Sequence, residues 1–302
     1  MKKSMQELIS KNKAKLSRKV SQIDEAELAE LLKEIGSYNI EHIPIDEIKK
    51  GLNTEYIGRE IYSYHEVEST NNVAKFLARF GPFEGTIVIS EIQTKGKGRG
   101  GKKWESPKGG IWLSIILKPE IDHLKAPLLT LATGIAIAKT IRRMNIDAKI
   151  KWPNDILINN KKVCGILTEA SSKQNTFDYI IVGVGIDSNL NINNLEETLR
   201  KITTSLSNET QEEIKEPKII ANFLNEFEKI YNSFKEENFD EILNEWRRMS
   251  DTIGSYVKIK QAHIKVIEGL AVGINNQGEL ILKLDNGELK TILSGECSLK
   301  KH

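Results

Sequence analysis

Two short stretches carry side chains whose types and spacing could do chemistry. The first, "KGKGRGGKK" from Lys95 to Lys103, sets five cations among four glycines, and Trp104 closes it. Glycines let a backbone come close to a ligand, and cations at this density suit a polyanion. The second is "KWPND", Lys151 to Asp155, with Lys162 seven residues past Asp155. A hairpin turning at Asn159-Asn160 would stand Asp155 and Lys162 near one another across its two strands. Such a pair is either a surface ion pair worth about 0–1 kcal/mol or a charge pair placed for a reaction.

The glycine loop fits two phosphate-binding patterns at once. Gly96, Gly101 and Lys102 spell the G-x-x-x-x-G-K of a P-loop, and Gly96, Gly98 and Gly101 spell G-x-G-x-x-G. Both patterns need the loop to open a helix, whose N-terminus takes the phosphates, and the first needs a hydroxyl after its lysine. Here Lys103 occupies the hydroxyl position, and "WESPKGGIWLSIIL" continues as turn and strand. Both readings fail. What stands is a loose cationic loop, set for a polyanion or simply solvated. Two further groups are ambiguous alone: Ser69-Thr70-Asn71 are types that favour a helix N-cap, and Gln93 sits at a strand end.

The elements that must position these residues follow from periodicity. "EIYSYHEV" alternates as a strand, "STNNVAKFLARFG" reads as a capped helix, and "GTIVISEIQ" and "GIWLSIILKP" are β-rich. A buried helix is expected from about Ala126 to Met144, then strand-like runs in "AKIKWPNDILINNKKVCGILTEA" and "YIIVGVGIDSNL". Residues 187–216 read as loops with one helix, and "KIIANFLNEFEKIYNSF" as an amphipathic helix. Short strands with turns at Asn275–Gly278 and Asn286-Gly287 predict a small SH3-like barrel at the end. Near the start, Ile23, Leu28, Leu31, Leu32 and Ile35 share one face of a predicted helix.

The 302 residues are 39% hydrophobic and 28% charged, as in a soluble globular protein, and the net charge of +2 argues for neither nucleic acid nor membrane. Two cysteines make a disulfide framework unexpected and a reducing cytoplasm the expectation. The N-terminal run has no apolar core of a signal peptide, and "LLTLATGIAIA" is too short to span a bilayer.

In order along the chain, "ESTNN", "EIQTKGKGRGGKKWESPKGGIWLSIIL", "KWPNDILINNKKVCGILTE" and "GVGIDSN" resemble the biotin–protein ligase family. The resemblance covers roughly residues 58 to 300, since the closing "SGECSL" is similar to that family's C-terminal barrel. It implies an α+β fold: a mixed-sheet catalytic domain flanked by helices over 58–252, an SH3-like barrel over 253–302, and a helical extension over 1–57. It implies that biotin and ATP form biotinyl-5′-adenylate with Mg²⁺ as cofactor. The biotinyl group then passes to a lysine of a biotin carboxyl carrier domain.

The positions matching the family's biotin contacts are Ser69, Thr70, Asn71, Gln93, Lys97, Gly98, Arg99 and Lys162. On the ATP and adenylate side they are Lys97, Arg99, Lys102, Trp104, Asn154 and Asn189, with Trp104 expected to pack on an aromatic ring. Lys162, Arg99 and Asp155 match the catalytic positions, and Asp155 is also the candidate magnesium ligand. The family loop commonly reads G-R-G-R-R-G-R, so Lys97, Gly100 and Lys102 replace three arginines, and Asp187 stands where Asn is frequent. Some members carry an N-terminal winged helix-turn-helix. Here that segment is short and its charge mixed, so a degenerate remnant without DNA binding is expected. A homodimer is expected from the family's habit. The competing activities are ligation of a related acid such as lipoate, and a biotin-responsive transcriptional repressor.

Overall fold

The computed structural model describes residues 43–173, 176–261 and 266–300. The predicted helix around residues 23–36 lies outside the described residues. After a short helix α1 (Ile45–Lys50), the chain runs β1 (Ile61–Val67), α2 (Thr70–Arg79), β2 (Thr86–Gln93), β3 (Ile111–Leu117) and α3 (Ala126–Arg142). Four strands follow: β4 (Lys149–Lys151), β5 (Asp155–Ile158), β6 (Lys161–Lys173) and β7 (Thr176–Ile186). Helices α4 (Glu197–Arg200), α5 (Leu206–Thr210), α6 (Glu216–Lys235) and α7 (Phe239–Met249) lead to five strands, β8 (Tyr256–Lys260), β9 (Ile267–Ile274), β10 (Leu280–Lys283), β11 (Leu289–Ile292) and β12 (Glu296–Leu299).

The first seven strands form one mixed sheet in the order β1-β2-β3-β7-β6-β5-β4, with only β1 and β2 parallel. Every residue of β3 is buried, because helices cover both faces at the sheet's centre. On one face α2 packs Val73, Ala74, Leu77 and Ala78 against Tyr64, Val88, Ile116 and Ile181. On the other, α3 and α6 form the main core. α3 is apolar nearly all round and correspondingly buried, with Pro127 in its first turn and Lys139 and Arg142 in its last. α6 is amphipathic: Phe223, Phe227, Tyr231 and Phe234 recur at helical spacing and are fully buried. Each such side chain contributes about 1.5–3 kcal/mol of burial free energy.

The last five strands make a second, antiparallel sheet in the order β11-β10-β9-β8-β12. It is seated on the helical side of the first unit. Trp152, buried to 1% exposure, donates its indole N–H to the Gly278 carbonyl at 3.0 Å, and Arg247 of α7 donates to the Ile274 carbonyl at 3.1 Å. The sequence reading did not place α7, although Ile242, Leu243, Trp246 and Met249 form its buried face. Residues 187–216 hold two short helices where one was expected.

Candidate functional site

The site lies on the α2 face of the large sheet, across β7, β6 and β5. Its floor is made by missing side chains. A methyl group at Gly183 would meet Asn71 Oδ1 at 2.2 Å, and one at Gly185 would meet the Trp104 indole nitrogen at 2.6 Å. Gly165, paired with Gly185 across the two strands, supports the same indole. Glycine is required there for close approach, not for backbone freedom.

One end of the site is a buried polar wall. Ser69, Thr70 and Asn71 are only 2–4% exposed. Ser69 occupies the N-cap position of α2, yet its side chain makes no capping bond. The Thr70 backbone N–H and hydroxyl both donate to Gln93 Oε1, at 2.8 and 3.1 Å, and Gln93 Nε2 donates to Ser106 Oγ at 2.9 Å. Asn71 Nδ2 donates to Glu169 Oε2 at 2.8 Å, and the Ser114 hydroxyl lies 2.6 Å from Asn71 Oδ1 and 2.8 Å from Thr70 Oγ1. Burial opposes the Glu169 charge, but bonds from Lys75 and Asn71 outweigh it and hold the carboxyl below its ordinary value. Sequence reasoning found Ser69, Thr70, Asn71 and Gln93 but missed Ser114 and Glu169. The signal for Ser114 was available: it is the one polar residue in "IWLSIIL".

The other end is charged. Asn159 and Asn160 both take positive φ (50° and 63°), as a type I′ turn demands, and join β5 to β6 as the expected hairpin. Across it Lys162 Nζ lies 2.6 Å from Asp155 Oδ1, and Lys151 Nζ lies 2.8 Å from Oδ2. Strand alternation alone would turn Lys162 with Cys164 and Ile166 into the apolar core. A bulge prevents it. Ile156 pairs with Cys164 but Leu157 with Lys162, so Val163 is an extra residue and Lys162 is brought over to the site face. There its ammonium sits 4.6 Å from the Trp104 ring centroid. Burial disfavours the Asp155 charge, and the two lysines overcome that and hold its carboxyl below the usual range. Lys151, the first residue of K-W-P-N-D, is a second cation on Asp155 that the motif alone does not assign.

The glycine loop runs over this charged end as an irregular hairpin. Gln93 and Lys97 bridge to Ser106 and Lys103, and Gly100 and Gly101 take positive φ (66° and 75°) at its tip. No helix follows; β3 does, as the failed P-loop reading required. Arg99 reaches both Asn154 Oδ1 and the Gly295 carbonyl at 3.4 Å. Burial lowers its proton affinity and Asp155 raises it. Asn154 Nδ2 donates to the Ile166 carbonyl at 2.8 Å. Lys102 is ion-paired at 2.5 Å with Glu296 of β12, a residue sequence reasoning had not singled out. Lys97 donates to Asn72 Oδ1 at 2.9 Å on the exposed side.

The structure thus brings Arg99, Trp104, Asn154, Asp155 and Lys162 to one end and Ser69, Thr70, Asn71 and Gln93 to the other, with Gly98 in the loop above. Lys97 and Lys102 point to neighbours outside this cluster. Asn189 is apart from it: its amide binds the Ile214 backbone at both ends, donating at 2.9 Å and accepting at 2.8 Å. Asp155, the candidate magnesium ligand, has an ammonium beside each of its oxygens. Among the described residues no group of three or more His, Cys, Asp or Glu is placed to hold a metal ion. Cys164 is no nucleophile either: burial pushes its thiol well up.

Comparison with known proteins follows the same outline. The sequence profile described as "Biotin/lipoate A/B protein ligase family" matches residues 64–187, and "Biotin protein ligase C terminal domain" matches residues 252–300. The chain is 36% identical over 255 residues to the bifunctional ligase/repressor BirA of Bacillus subtilis, covering 84% of this chain and 78% of that protein. It is 31% identical over 237 residues to the bifunctional ligase/repressor BirA of Escherichia coli, covering 78% and 72%. Among solved structures it is similar to the biotin protein ligase from Aquifex aeolicus in complex with biotin and ATP. There the TM-score is 0.70 and the identity 30%, over 81% of this chain and 100% of that one.

Proposed function

This chain belongs to the biotin protein ligase family, and from that premise we propose that it activates biotin with ATP and transfers the biotinyl group to a lysine of a carboxylase's carrier domain. The observation that carries the reading is the Lys151–Asp155–Lys162 cluster beneath Trp104, with Arg99 on its rim. In the first step the biotin carboxylate attacks the α-phosphorus, forming biotinyl-5′-adenylate and releasing pyrophosphate. Two anions must meet. At ~4 Å each unit pair repels by about 1 kcal/mol in water and about 4 at an effective dielectric of about 20. Lys162, a compact ammonium, offsets that repulsion between carboxylate and phosphate, and the Arg99 fork holds phosphoryl oxygens. In the second step the carrier's lysine amine attacks the biotinyl carbonyl and AMP leaves.

Asp155 orients Lys162 in this reading, rather than holding metal. No step is assigned to magnesium. Ser69, Thr70, Asn71 and Gln93 serve the biotin rings, with the buried wall supplying a few aimed polar atoms. Trp104 and Asn154 serve the adenylate, and the glycine loop with Gly98, Lys97 and Lys102 orders over the anhydride to keep water away. Residues 58–252 form the catalytic unit and 253–302 the C-terminal one. A cytoplasmic homodimer completes the reading, and no helix among the described residues is long and apolar enough to cross a membrane. The repressor activity named for the relatives is the alternative reading, and the N-terminal segment that would carry it falls largely before residue 43, outside the described residues.

The test is incubation with ATP, Mg²⁺ and labelled biotin, with lipoate as the control, in the presence of a carrier domain. Label on one carrier lysine, and none from lipoate, is the expected result. Transfer of lipoate in preference to biotin would overturn the substrate assignment.

A further inference from the structure

Asn71 is 4% exposed in the polar wall, and its amide is engaged at both ends. Nδ2 donates to Glu169 Oε2 at 2.8 Å, while Oδ1 lies 2.6 Å from the Ser114 hydroxyl. The Leu167 carbonyl is 3.4 Å from Nδ2, longer than the usual range of about 2.7–3.2 Å, and holds the amide weakly. The shape of an amide does not say which end belongs where, because its oxygen and its NH2 are nearly the same size. The partners decide it.

Glu169 is the partner whose role is fixed. It stands on β6 four residues past Gly165, so strand alternation brings both to the site face. Lys75 of α2 holds its other oxygen, Oε1, at 2.5 Å. Burial opposes the Glu169 charge, but the bonds from Lys75 and Asn71 outweigh it. An ionised carboxylate accepts and never donates. The atom facing Oε2 must therefore be Nδ2, which turns Oδ1 to Ser114. An amide oxygen also only accepts, so the single proton of the Ser114 hydroxyl goes to Asn71.

The polarity passes on to Thr70. Its Oγ1 lies 2.8 Å from Ser114 Oγ and 3.1 Å from Gln93 Oε1. Ser114 has no second proton to give, so Thr70 Oγ1 keeps a lone pair and donates its own proton along the wall. The Thr70 backbone N–H, 2.8 Å from Gln93 Oε1, sets the Gln93 amide independently. One Nε2 proton of Gln93 goes to Ser106 Oγ at 2.9 Å, and the second has no hydrogen-bond partner among the described residues.

On the function proposed above, we infer that Glu169 is a positioning residue for biotin. By fixing Asn71 end for end it leaves an acceptor at Thr70 Oγ1 near a donor at Gln93 Nε2, a pattern that the N–H and C=O of a cyclic urea complete. Without Glu169 the Asn71 amide turns over, Ser114 donates to Thr70, and that acceptor is filled. Lys75 has no part in the polarity; it steadies the carboxylate.

Biotin-dependent exchange of pyrophosphate into ATP tests this through the side chain at position 169. Lys75→Met supplies the background, because an amide oxygen placed at 169 is then free to face Asn71 with no ammonium competing for it. Lys75→Met alone removes a part-exposed pair and should keep the KM for biotin within about threefold of the wild type. Adding Glu169→Gln keeps an acceptor and should leave that KM within about threefold again. Adding Glu169→Met instead keeps the length without the acceptor and should raise it about 5- to 100-fold, with kcat and the KM for ATP moving far less. If Glu169→Met does not fold in this background, Glu169→Ala replaces it.

Gln as poor as Met at 169 would show that charge matters and the acceptor does not. Met as good as the wild type would remove Glu169 from biotin binding. Either overturns the inference. Wild-type protein without any exchange would instead defeat the ligase reading. Melting temperatures then read the hold on Asn71 alone: Glu169→Met should melt below Glu169→Gln, and equal values would overturn it.

Discussion

The two ends of the candidate site are built on opposite plans. At the Ser69–Gln93 end Thr70, Asn71, Gln93, Ser106 and Ser114 are tied to one another by hydrogen bonds, and Ser69, Thr70 and Asn71 are buried. At the glycine-loop end the Lys102–Glu296 pair leaves 61% and 51% of its side chains exposed, and two glycines sit at the tip with positive φ. The first plan suits a ligand that is read by shape and by a few aimed hydrogen bonds. The second suits one whose charge must be gathered and then sealed from water. A fixed slot and a resettable strap meet over Asp155 and Lys162.

The largest break in that contrast should come at the point where the two ends meet. Lys162→Ala is expected to cut biotin-dependent pyrophosphate exchange about 100- to 1000-fold with the fold intact by circular dichroism. A loss under tenfold would remove Lys162 from the chemistry. Next comes the fixed slot. Ser114→Ala leaves Asn71 Oδ1 short of a donor, a cost of about 1–3 kcal/mol, and should raise the KM for biotin about 5- to 100-fold while sparing the KM for ATP. Equal changes in both would mean that the wall does not discriminate between the two substrates.

Smaller effects are expected from the strap. Arg99→Gly removes a forked donor, so release of biotinyl-adenylate should quicken about tenfold, measured by trapping the released adenylate. Glu296→Gln breaks only an exposed pair, worth about 0–1 kcal/mol, so any change should stay within about fivefold and vanish in high salt. A large, salt-insensitive effect would show that the C-terminal sheet locks the loop instead of steadying it. Asp155 allows a check in acid. Its depressed carboxyl contributes stability above the unfolded value near pH 4, which is lost as pH falls through the folded one, so Asp155→Asn should flatten the acid limb of a melting curve against pH.

Much of this was legible from residues close in sequence. The Asp155–Lys162 pairing followed from the Asn159-Asn160 turn, and the rejection of the P-loop from Lys103 and the strand after it. The aim of Lys162 was not legible. The bulge at Val163 arises from how β5 and β6 settle against the core, and no local propensity encodes it. The strap's attachments to Gly295 and Glu296 join residues nearly two hundred positions apart, a distance at which spacing says nothing. Asn189 is a different case. A motif match placed it with the ligand, while the amide is used to fasten the chain before α6.

Gly165, Gly183 and Gly185 leave bare peptide planes where other strands would carry side chains. Such a surface has no rotamers to adjust, so it works as a fixed gauge for whatever flat group lies on it. Even one added methyl would lift that group by about a carbon's radius and spoil its alignment with everything above. Adaptation at this spot is therefore closed to gradual change in size, and variation has to come from the strap and from the neighbouring walls.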